Sequence, residues 1–427
     1  MQRGLHERFR PITAGVARSL SRGAGEGQGG GCDIESRPRY DTGMSRLYLD
    51  HNATTPLRPE ARAAMLAALD ASGNASSVHA EGRAARAFVE TARAQVAALV
   101  GARPASVVFT SGGTEAANLA LAPEVGGAGA PFARLIVSAG EHPCVLDGHR
   151  FAAEAVTRAL LTADGRIDLA ALEALIAGAR VMLALQAANN ETGVLQPLAE
   201  AAALVHAHGG LVVCDAVQMA GKLPFDMGAA GVDMAILSAH KLGGPPGAGA
   251  LVFGRPALHI RQAALRGGGQ ERGHRAGTEN APAIAGFGAA AQAAGAQMAG
   301  EAARLAVLRD GIEADVRALA PEAAFFGAEA PRLPHVSAFA LPGVTAEFLL
   351  MALDMEGVAV SSGSACSSGK VKASHVLAAM GVAPDLARCA IRVSAGWPSQ
   401  DSDRGRFFDA LGRVLATLRR RRQGSTA

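Results

Sequence analysis

Short apolar runs alternate with helical patterns between about residue 60 and residue 300. Six runs are typical of strands, because each is short, apolar and flanked by Gly, Pro or polar residues. They are Val107–Thr110, Leu135–Ser138, Val181–Leu185, Leu211–Asp215, Met234–Leu237 and Ala250–Phe253. Successive residues in them are apolar, as in a strand that is buried on both faces. The pattern predicts an α/β fold with a mainly parallel sheet, and ligand sites at the carboxyl ends of its strands.

Helical patterns separate these runs and continue beyond them. Apolar residues recur at the spacing of one helix face from Phe88 to Leu99, and Gly101 follows at the position of a C-terminal cap. From about residue 300 the pattern changes to a long helical stretch, Glu301–Ala318, followed by mixed elements. We therefore expect a second, smaller domain in the C-terminal part of the chain.

The first 43 residues differ in composition from the rest of the chain. Gly23–Gly31 is mostly glycine, and no apolar periodicity appears after Leu20. Such a segment buries too little apolar surface to offset its loss of conformational entropy, so residues 1–43 are predicted to be disordered. Organised sequence begins directly after Met44, and we expect the functional chain to start near this residue.

Composition limits the functions that the 427-residue chain can have. Hydrophobic residues make up 49% and charged residues 19%, as in a globular protein, and the formal net charge is only +3. So small a charge gives no general case for binding nucleic acid or an anionic membrane, which require a concentrated basic surface. No apolar stretch reaches the roughly 18–20 residues that span a bilayer, so we expect a soluble, cytoplasmic protein.

The five cysteines are odd in number, widely spaced and without a Cys-x-x-Cys pair. This distribution argues against a disulfide framework and against a structural zinc site. Cys214 lies in an apolar run and is predicted to be buried and inert. Cys366 lies in the run Ser361–Gly369, whose other residues are all Ser, Gly or Ala. A thiol there is either a reagent or a small packed residue, and the segment alone does not decide between them.

Polar residues suited to binding a cofactor lie at or just after the ends of three of the predicted strands. The turn Ser111–Thr114 contains two glycines and precedes a helix, whose exposed N–H groups suit a phosphate, although such glycines are often only steric. Asp215 ends a buried strand, where a carboxylate either needs a cation or caps a helix. Lys241 follows another strand and precedes Gly-Gly-Pro-Pro. It is either an exposed lysine or one whose lowered pKa suits a Schiff base.

Together these three groups meet the requirements of pyridoxal 5'-phosphate. The cofactor needs a phosphate site, a carboxylate that keeps its pyridine nitrogen protonated, and a lysine that holds its aldehyde. The protonated ring accepts electrons from a carbanion, and the lysine can move the Cα proton. Because the joint pattern is far more specific than any of its parts, it predicts an enzyme that uses this cofactor.

Seven segments carry a resemblance to a known family, in family order from about residue 46 onward. They are Tyr48–Pro56, Thr110–Glu115, Asn189–Gly193, Asp215–Gln218, Ser238–Lys241, Arg272–Thr278 and Ser361–Cys366. The chain resembles the cysteine desulfurases of the pyridoxal-phosphate-dependent class V aminotransferase family. The long Ser/Gly run around Cys366 is similar to that of the family group with a long, mobile Cys loop. The resemblance implies a fold-type I architecture.

The resemblance also implies domains and residue roles. Residues 57–297 would form the large cofactor-binding domain, and residues 44–56 with 298–427 the small domain that carries the Cys loop. Lys241 would hold the cofactor, Cys366 would be the catalytic thiol, and His142 would stack on the ring and assist proton transfer. The implied cofactor-binding residues are Gly113, Thr114, His142, Asn190, Asp215, Gln218, Ser238, His240, Lys241 and, from the other subunit of a homodimer, Thr278. Asn190 and Arg392 would hold the substrate carboxylate, which a guanidinium can bind through two hydrogen bonds.

The implied reaction converts L-cysteine to L-alanine and leaves a persulfide on Cys366, which must act as a thiolate. The acceptor implied by the family is an iron–sulfur scaffold protein, with tRNA or cofactor thiolation as alternatives. No intrinsic metal is expected, although Cys366 would transiently ligate a cluster with the scaffold. Neither a membrane nor a nucleic acid is an expected direct partner. The alternatives are a selenocysteine lyase, another class V aminotransferase or lyase, and a catalytically silent scaffold.

Overall fold

The computed structural model describes residues 46–126, 130–363 and 373–424, and for residues 421–424 it describes only the backbone. The predictions for residues 1–43 and for Cys366 therefore concern residues outside these ranges. They stay predictions.

Twelve strands lie within the described ranges and form three sheets. They are β1 Leu47–Tyr48, β2 Val107–Thr110, β3 Leu135–Ser138, β4 Val156–Ala159, β5 Met182–Ala184, β6 Leu211–Asp215, β7 Met234–Ser238, β8 Gly249–Phe253, β9 Ala324–Phe325, β10 Val336–Ala340, β11 Val358–Ala359 and β12 Ala390–Ser394. The largest sheet has seven strands in the order β2-β8-β7-β6-β5-β3-β4. Six of its strands run in one direction and only β8 runs in the opposite one, so the predicted mainly parallel sheet is confirmed.

All six predicted strands are present, and β2, β3 and β6 have the predicted bounds. The sequence pattern missed β4, whose Val-Thr-Arg-Ala sequence is only partly apolar. It pairs with β3 alone, at the edge of the sheet, and three of its four residues are not fully buried. An edge strand needs fewer apolar residues than a central one, which explains why the pattern did not show it.

Eleven α-helices lie within the described ranges. They are α1 Pro59–Asp70, α2 Ala80–Leu99, α3 Gly113–Ala120, α4 Pro143–Leu146, α5 Leu169–Ile176, α6 Leu198–His206, α7 Ala281–Leu319, α8 Ala346–Met355, α9 His375–Ala379, α10 Pro384–Ala387 and α11 Ser402–Gly424. Helix α2 ends just before Gly101, which adopts the left-handed conformation (φ +66°) expected of a C-terminal glycine. None of the described helices combines the length and the apolar character that crossing a bilayer requires.

Helix α7 is 39 residues long, about twice the length that the sequence pattern predicts. The predicted stretch, 301–318, is its second half. The first half is rich in Ala and Gly and packs among α1, α2 and the sheet, so it has no continuous polar face to mark its period. Gly288 shows how close the helices come, because a Cβ there would lie 2.4 Å from Ala92 Cα.

Residues along each central strand alternate between two hydrophobic clusters, because successive side chains point to opposite faces of the sheet. In β2, Val107 and Phe109 pack in the cluster that contains α1, α2 and α7, whereas Val108 packs in the cluster that contains α3. A third cluster joins the second half of α7 to α8, α11, β10 and β12. Cys214 is fully buried in the first cluster, as predicted. The division into two domains at residues 57 and 298 stays a prediction.

Candidate active site

The carboxyl ends of β2, β6 and β7 lie at the same edge of the large sheet, and a cavity of about 390 Å³ opens there. Ten of the twelve site residues predicted from the sequence line this cavity. They are Gly113, Thr114, His142, Asn190, Asp215, Gln218, Ser238, His240, Lys241 and Arg392. The fold therefore assembles into one site residues that lie far apart along the chain.

Lys241 ends the turn of 3-10 helix, residues 239–241, that directly follows β7. Its Nζ donates hydrogen bonds to the main-chain oxygens of Asn52 (2.6 Å) and Ala53 (2.8 Å). Burial, and then the charge of Arg392, lower the pKa of Lys241 to about 8. An appreciable fraction of this amine is therefore neutral near neutral pH, as a nucleophile or a base must be.

Asp215 is the last residue of β6 and faces the cavity. Its Oδ1 accepts a hydrogen bond from the Val217 N–H (2.9 Å). Burial raises the pKa of Asp215 to about 6, so the carboxylate is mostly ionised at neutral pH. A desolvated carboxylate of this kind is stabilised by a cationic N–H in the cavity.

The start of helix α3 lies at another part of the cavity wall. The first hydrogen bond within this helix runs from the Ala116 N–H to the Gly112 oxygen (3.1 Å). The N–H groups of Gly113 and Thr114 precede it and have no acceptor in the helix, so they are suited to bind an anion. His240 lies nearby, and burial followed by the charges of neighbouring lysines lowers its pKa to about 4. The imidazole is thus neutral at physiological pH and acts there as a hydrogen-bonding group.

His142 caps the short helix α4, and its Nδ1 accepts a hydrogen bond from the Cys144 N–H (3.2 Å). Because Nδ1 is an acceptor, this bond assigns the ring proton to Nε2. Burial, followed by the charges of Lys241 and His375, lowers the pKa of His142 to about 4. A neutral ring can stack on a flat ligand and exchange a proton at Nε2.

Arg392 lies in the middle of β12 and is almost fully buried. One of its terminal nitrogens donates to the main-chain oxygen of Asn190 (2.8 Å), and the other donates to Asp50 Oδ1 (2.6 Å). Its Nε is buried without a hydrogen-bond partner among the described residues. These bonds use two of the five N–H donors of the guanidinium, so Arg392 keeps donors for a substrate carboxylate.

Two of the predicted residues do not line this cavity. Thr278 lines a separate cavity of about 140 Å³, together with Thr110, Ser111 and Glu279. Its predicted role in the other subunit's site stays a prediction. Cys366 lies outside the described residues, but Gly363, the last residue described before it, lines the main cavity. The described chain thus reaches the cavity three residues before Cys366.

Beyond Cys366 the chain is also anchored next to the cavity, at residues 374 and 375. Ser374 Oγ donates a hydrogen bond to Glu191 Oε2 (2.5 Å), and Glu191 adjoins the cavity residue Asn190. The imidazole Nε2 of His375 lies 2.8 Å from the main-chain oxygen of Glu141, the neighbour of His142. We call residues 364–372 the Cys366 segment. The described residues on both sides of this segment therefore lie at the same site.

Several lining residues were not among those predicted. They are Asn52, Ala53, Cys144, Gln186, Ala188, Val217 and Gly363. Asn52 is the most connected of them: its main-chain oxygen accepts from Lys241 and from Gln218 Nε2 (3.0 Å), and its Oδ1 lies 2.9 Å from His335 Nε2. The only signal in the sequence was its place in the segment Tyr48–Pro56. No local pattern shows that Asn52 supplies an acceptor to a lysine 189 positions away.

The chain is similar to known proteins over most of its length. The family model for class-V aminotransferases matches residues 47–403. A cysteine desulfurase of Cereibacter sphaeroides is 42% identical over 383 residues, which are 88% of this chain and 97% of that protein. An IscS-like cysteine desulfurase of Mycobacterium tuberculosis is 40% identical, over 87% of this chain and 97% of its own length. The structure is similar to that of a NifS-like protein from Rickettsia africae, with a TM-score of 0.78, 31% identity and coverage of 87% of this chain and 99% of that one.

Proposed function

The chain belongs to the class-V aminotransferase family, and from this premise we propose that it is a pyridoxal-phosphate-dependent cysteine desulfurase. It converts L-cysteine to L-alanine and takes the sulfur onto Cys366 as a persulfide. One observation carries the proposal. Lys241, Asp215 and the first turn of α3 line a single cavity, and Gly363, at the described end of the Cys366 segment, lines it too.

The lining residues fit the cofactor. Asp215 is a desolvated carboxylate that accepts one main-chain N–H, and a protonated pyridine nitrogen supplies the cation that it lacks. The free N–H groups at the start of α3 suit the phosphate, and Lys241 supplies an amine of lowered pKa for the aldehyde. When bound, the cofactor supplies a protonated ring that takes up the electrons released at the substrate Cα.

The residues of the chain bind the substrate and move its protons. Arg392 orients L-cysteine by donating its remaining N–H groups to the substrate carboxylate, while Asn190 helps to position it. Lys241 removes the Cα proton and holds it at Nζ, which its lowered pKa permits. His142 packs against the flat ligand and exchanges a proton at Nε2.

Cys366, as a thiolate, attacks the sulfur of the substrate. A new S–S bond forms and the Cβ–S bond of the substrate breaks. The electron pair of the broken bond stays with the carbon skeleton, which takes up a proton and leaves as alanine. The product on the protein is the Cys366 persulfide. Two described residues near Cys366 in sequence support this step, because Gly363 lines the cavity and Ser374 donates to Glu191 beside it.

The test compares alanine and persulfide formation from L-cysteine in the wild type and in Cys366→Ala. We expect the variant to form no persulfide and to lose alanine formation by a factor on the order of 10² or more, because the nucleophile is gone. Cys32→Ala is the matched thiol control and should retain full activity. Lys241→Ala should lose the visible absorption band of the bound cofactor.

Other results of these assays would favour another class-V enzyme or a catalytically silent scaffold. Alanine formation from L-cysteine that survives intact in Cys366→Ala would contradict the desulfurase reaction and favour another class-V lyase or aminotransferase. An assay with L-selenocysteine on the same variant then distinguishes a selenocysteine lyase, which does not need Cys366. A purified wild type that never develops the cofactor band would instead favour a silent scaffold.

We also propose a physiological setting for the reaction. The enzyme is a cytoplasmic homodimer in which Thr278 reaches the phosphate in the other subunit, and it passes sulfur to an iron–sulfur scaffold protein. Light scattering on the purified protein and transfer of radiolabelled sulfur from Cys366 to candidate acceptors test these points. A monomer that binds the cofactor normally would contradict the role of Thr278.

A further inference from the structure

Glu115 places a carboxylate next to the N–H groups that are proposed to bind a phosphate. It is the third residue of α3, directly after Gly113 and Thr114. Burial alone would raise its pKa, but hydrogen bonds from Arg275 and Ser111 hold the pKa of Glu115 below its ordinary value, so the carboxylate is ionised at neutral pH. The helix dipole favours a negative charge here, whereas a bound phosphate is repelled by it. Its presence at this position therefore calls for a role other than that of its charge.

Both carboxylate oxygens of Glu115 accept hydrogen bonds. Oε2 accepts from the Ser111 N–H (2.7 Å), and Oε1 accepts from Arg275 Nε (3.0 Å). The Ser111 N–H lies outside the helix, one residue before the N-cap residue Gly112. Because a glycine has no side chain, the N-cap residue leaves the first helical N–H groups to a ligand. Glu115 thus closes the turn Ser111–Thr114 without occupying its free N–H groups.

The middle of the same turn is fixed from the strand side. Thr110 Oγ1 donates a hydrogen bond to the main-chain oxygen of Gly112 (2.9 Å). Gly249 of β8 lies directly against the turn, because a Cβ there would be 2.5 Å from the carbonyl carbon of Gly112. The hydrogen bond from Ser111 to Glu115 fixes the first residue of the turn in addition. Contacts with the strands and with Glu115 therefore hold this backbone together.

Arg275 reaches Glu115 from a segment that is itself anchored. The carboxylate of Glu271 accepts from both terminal nitrogens of Arg93 (2.8 and 2.9 Å) and from the Phe109 N–H (2.9 Å). Glu271 and the residue after it have φ values of +47° and +57°, a conformation that non-glycine residues keep only where their surroundings hold it. Phe109 belongs to β2, the strand that leads into the turn. The Glu115–Arg275 pair thus joins the turn to a segment that is attached to the preceding strand.

We propose that Glu115 is a positioning residue for the phosphate of the cofactor. Its hydrogen bond with Ser111 keeps the free N–H groups at the start of α3 in a fixed arrangement. Arg275 holds the carboxylate in place and offsets its charge. The inference rests on the proposed function, which supplies the phosphate. It predicts that loss of Glu115 weakens phosphate binding even though a negative charge is removed, whereas electrostatics alone predicts stronger binding.

The test measures dissociation constants of the cofactor-free protein for pyridoxal 5'-phosphate and for pyridoxal, from the absorbance change on binding. The two ligands share the ring and the aldehyde, so the ratio of their constants isolates the phosphate. We expect Glu115→Ala to raise the constant for pyridoxal 5'-phosphate by roughly 10- to 100-fold, because the N–H donors lose their alignment, and to leave that for pyridoxal within about twofold. Glu115→Asp keeps the charge but is one methylene shorter and loses the Ser111 bond, so it should show the same selective loss.

The matched control is Glu347→Ala, which removes an exposed acid from the first turn of α8 and should change neither constant. An unchanged or smaller constant for pyridoxal 5'-phosphate in Glu115→Ala would overturn the proposal, and so would equal losses for the two ligands. If circular dichroism shows that Glu115→Ala does not fold, the same criteria apply to Glu115→Asp.

The wild-type measurement separates this inference from the proposed function. A wild type that prefers pyridoxal 5'-phosphate, together with Glu115 variants that keep the full preference, would contradict the inference alone. A wild type that binds the two ligands equally has no phosphate site at the start of α3. That result would contradict both the inference and the cofactor assignment on which the proposed function depends.

Discussion

The lowered pKa of Lys241 predicts rapid capture of pyridoxal phosphate by the cofactor-free protein at neutral pH. Only the neutral amine attacks an aldehyde, so the rate follows the neutral fraction of Lys241. With a pKa of about 8, roughly a tenth of this amine is neutral near pH 7. An exposed lysine with a pKa near 10.5 has roughly one part in 3,000 neutral. The reactive fraction of Lys241 is therefore roughly 300-fold larger.

The perturbation that tests this reasoning is Arg392→Gln. After burial, the charge of Arg392 contributes most to the lowered pKa of Lys241, and its removal also leaves the negative charge of Asp50 uncompensated. Both changes favour the ammonium, so the pKa of Lys241 should rise. A rise of one to two units would slow capture near pH 7 by a factor of roughly 10 to 100.

The assay follows the absorbance of the cofactor after mixing with cofactor-free protein in a stopped-flow instrument between about pH 6 and pH 10. The rate should rise about tenfold per pH unit below the pKa of Lys241 and level off above it. Free Nα-acetyl-lysine, measured in parallel, reports how the cofactor's own ionisation affects the rate. A wild-type rate that keeps rising steeply through about pH 10, or a profile that Arg392→Gln leaves unchanged, would refute the argument.

Two further predictions concern stability and are measured by urea unfolding. Gly288→Ala in α7 should destabilise the fold by about 1–3 kcal/mol, because its Cβ would meet the Ala92 backbone, whereas Gly300→Ala in the same helix has open space and should stabilise it by about 0.5–1 kcal/mol. Equal effects of the two would contradict the close packing of α7. Glu141 is fully buried, and burial raises its pKa well above the ordinary value, so the folded chain keeps a proton that the unfolded chain releases as the pH rises. The free energy of unfolding should therefore fall with rising pH by up to about 1.4 kcal/mol per unit, and Glu141→Gln should remove this decline. If the free energies of unfolding of the wild type and the variant differ by an amount that does not change with pH, the prediction is contradicted.

The sequence predicted best those elements in which consecutive residues share the same environment. Strands β2, β3 and β6 are buried on both faces, so an unbroken apolar run marks them and their bounds. The first half of α7 is also buried, but its small residues carry no period, and only its contacts with α1 and α2 define it as helix. The same difference explains which residues of the site the sequence pattern showed. Asp215 and Lys241 were found because Asp215 ends such a strand and Lys241 lies in the turn that follows another, whereas Asn52 follows only the short strand β1.

The sequence by itself determined the α/β order of elements, the ends of the strands that carry chemistry, and the segments that mark the family. These features depend on neighbouring residues, so a linear pattern contains them. Only the tertiary structure decided that the Asn52 oxygen holds Lys241, that Arg392 is engaged by Asp50, and that Lys222 lies beside the reactive amine. Hydrogen bonds and pKa values depend on distances between residues that are far apart along the chain, and only the folded protein sets those distances.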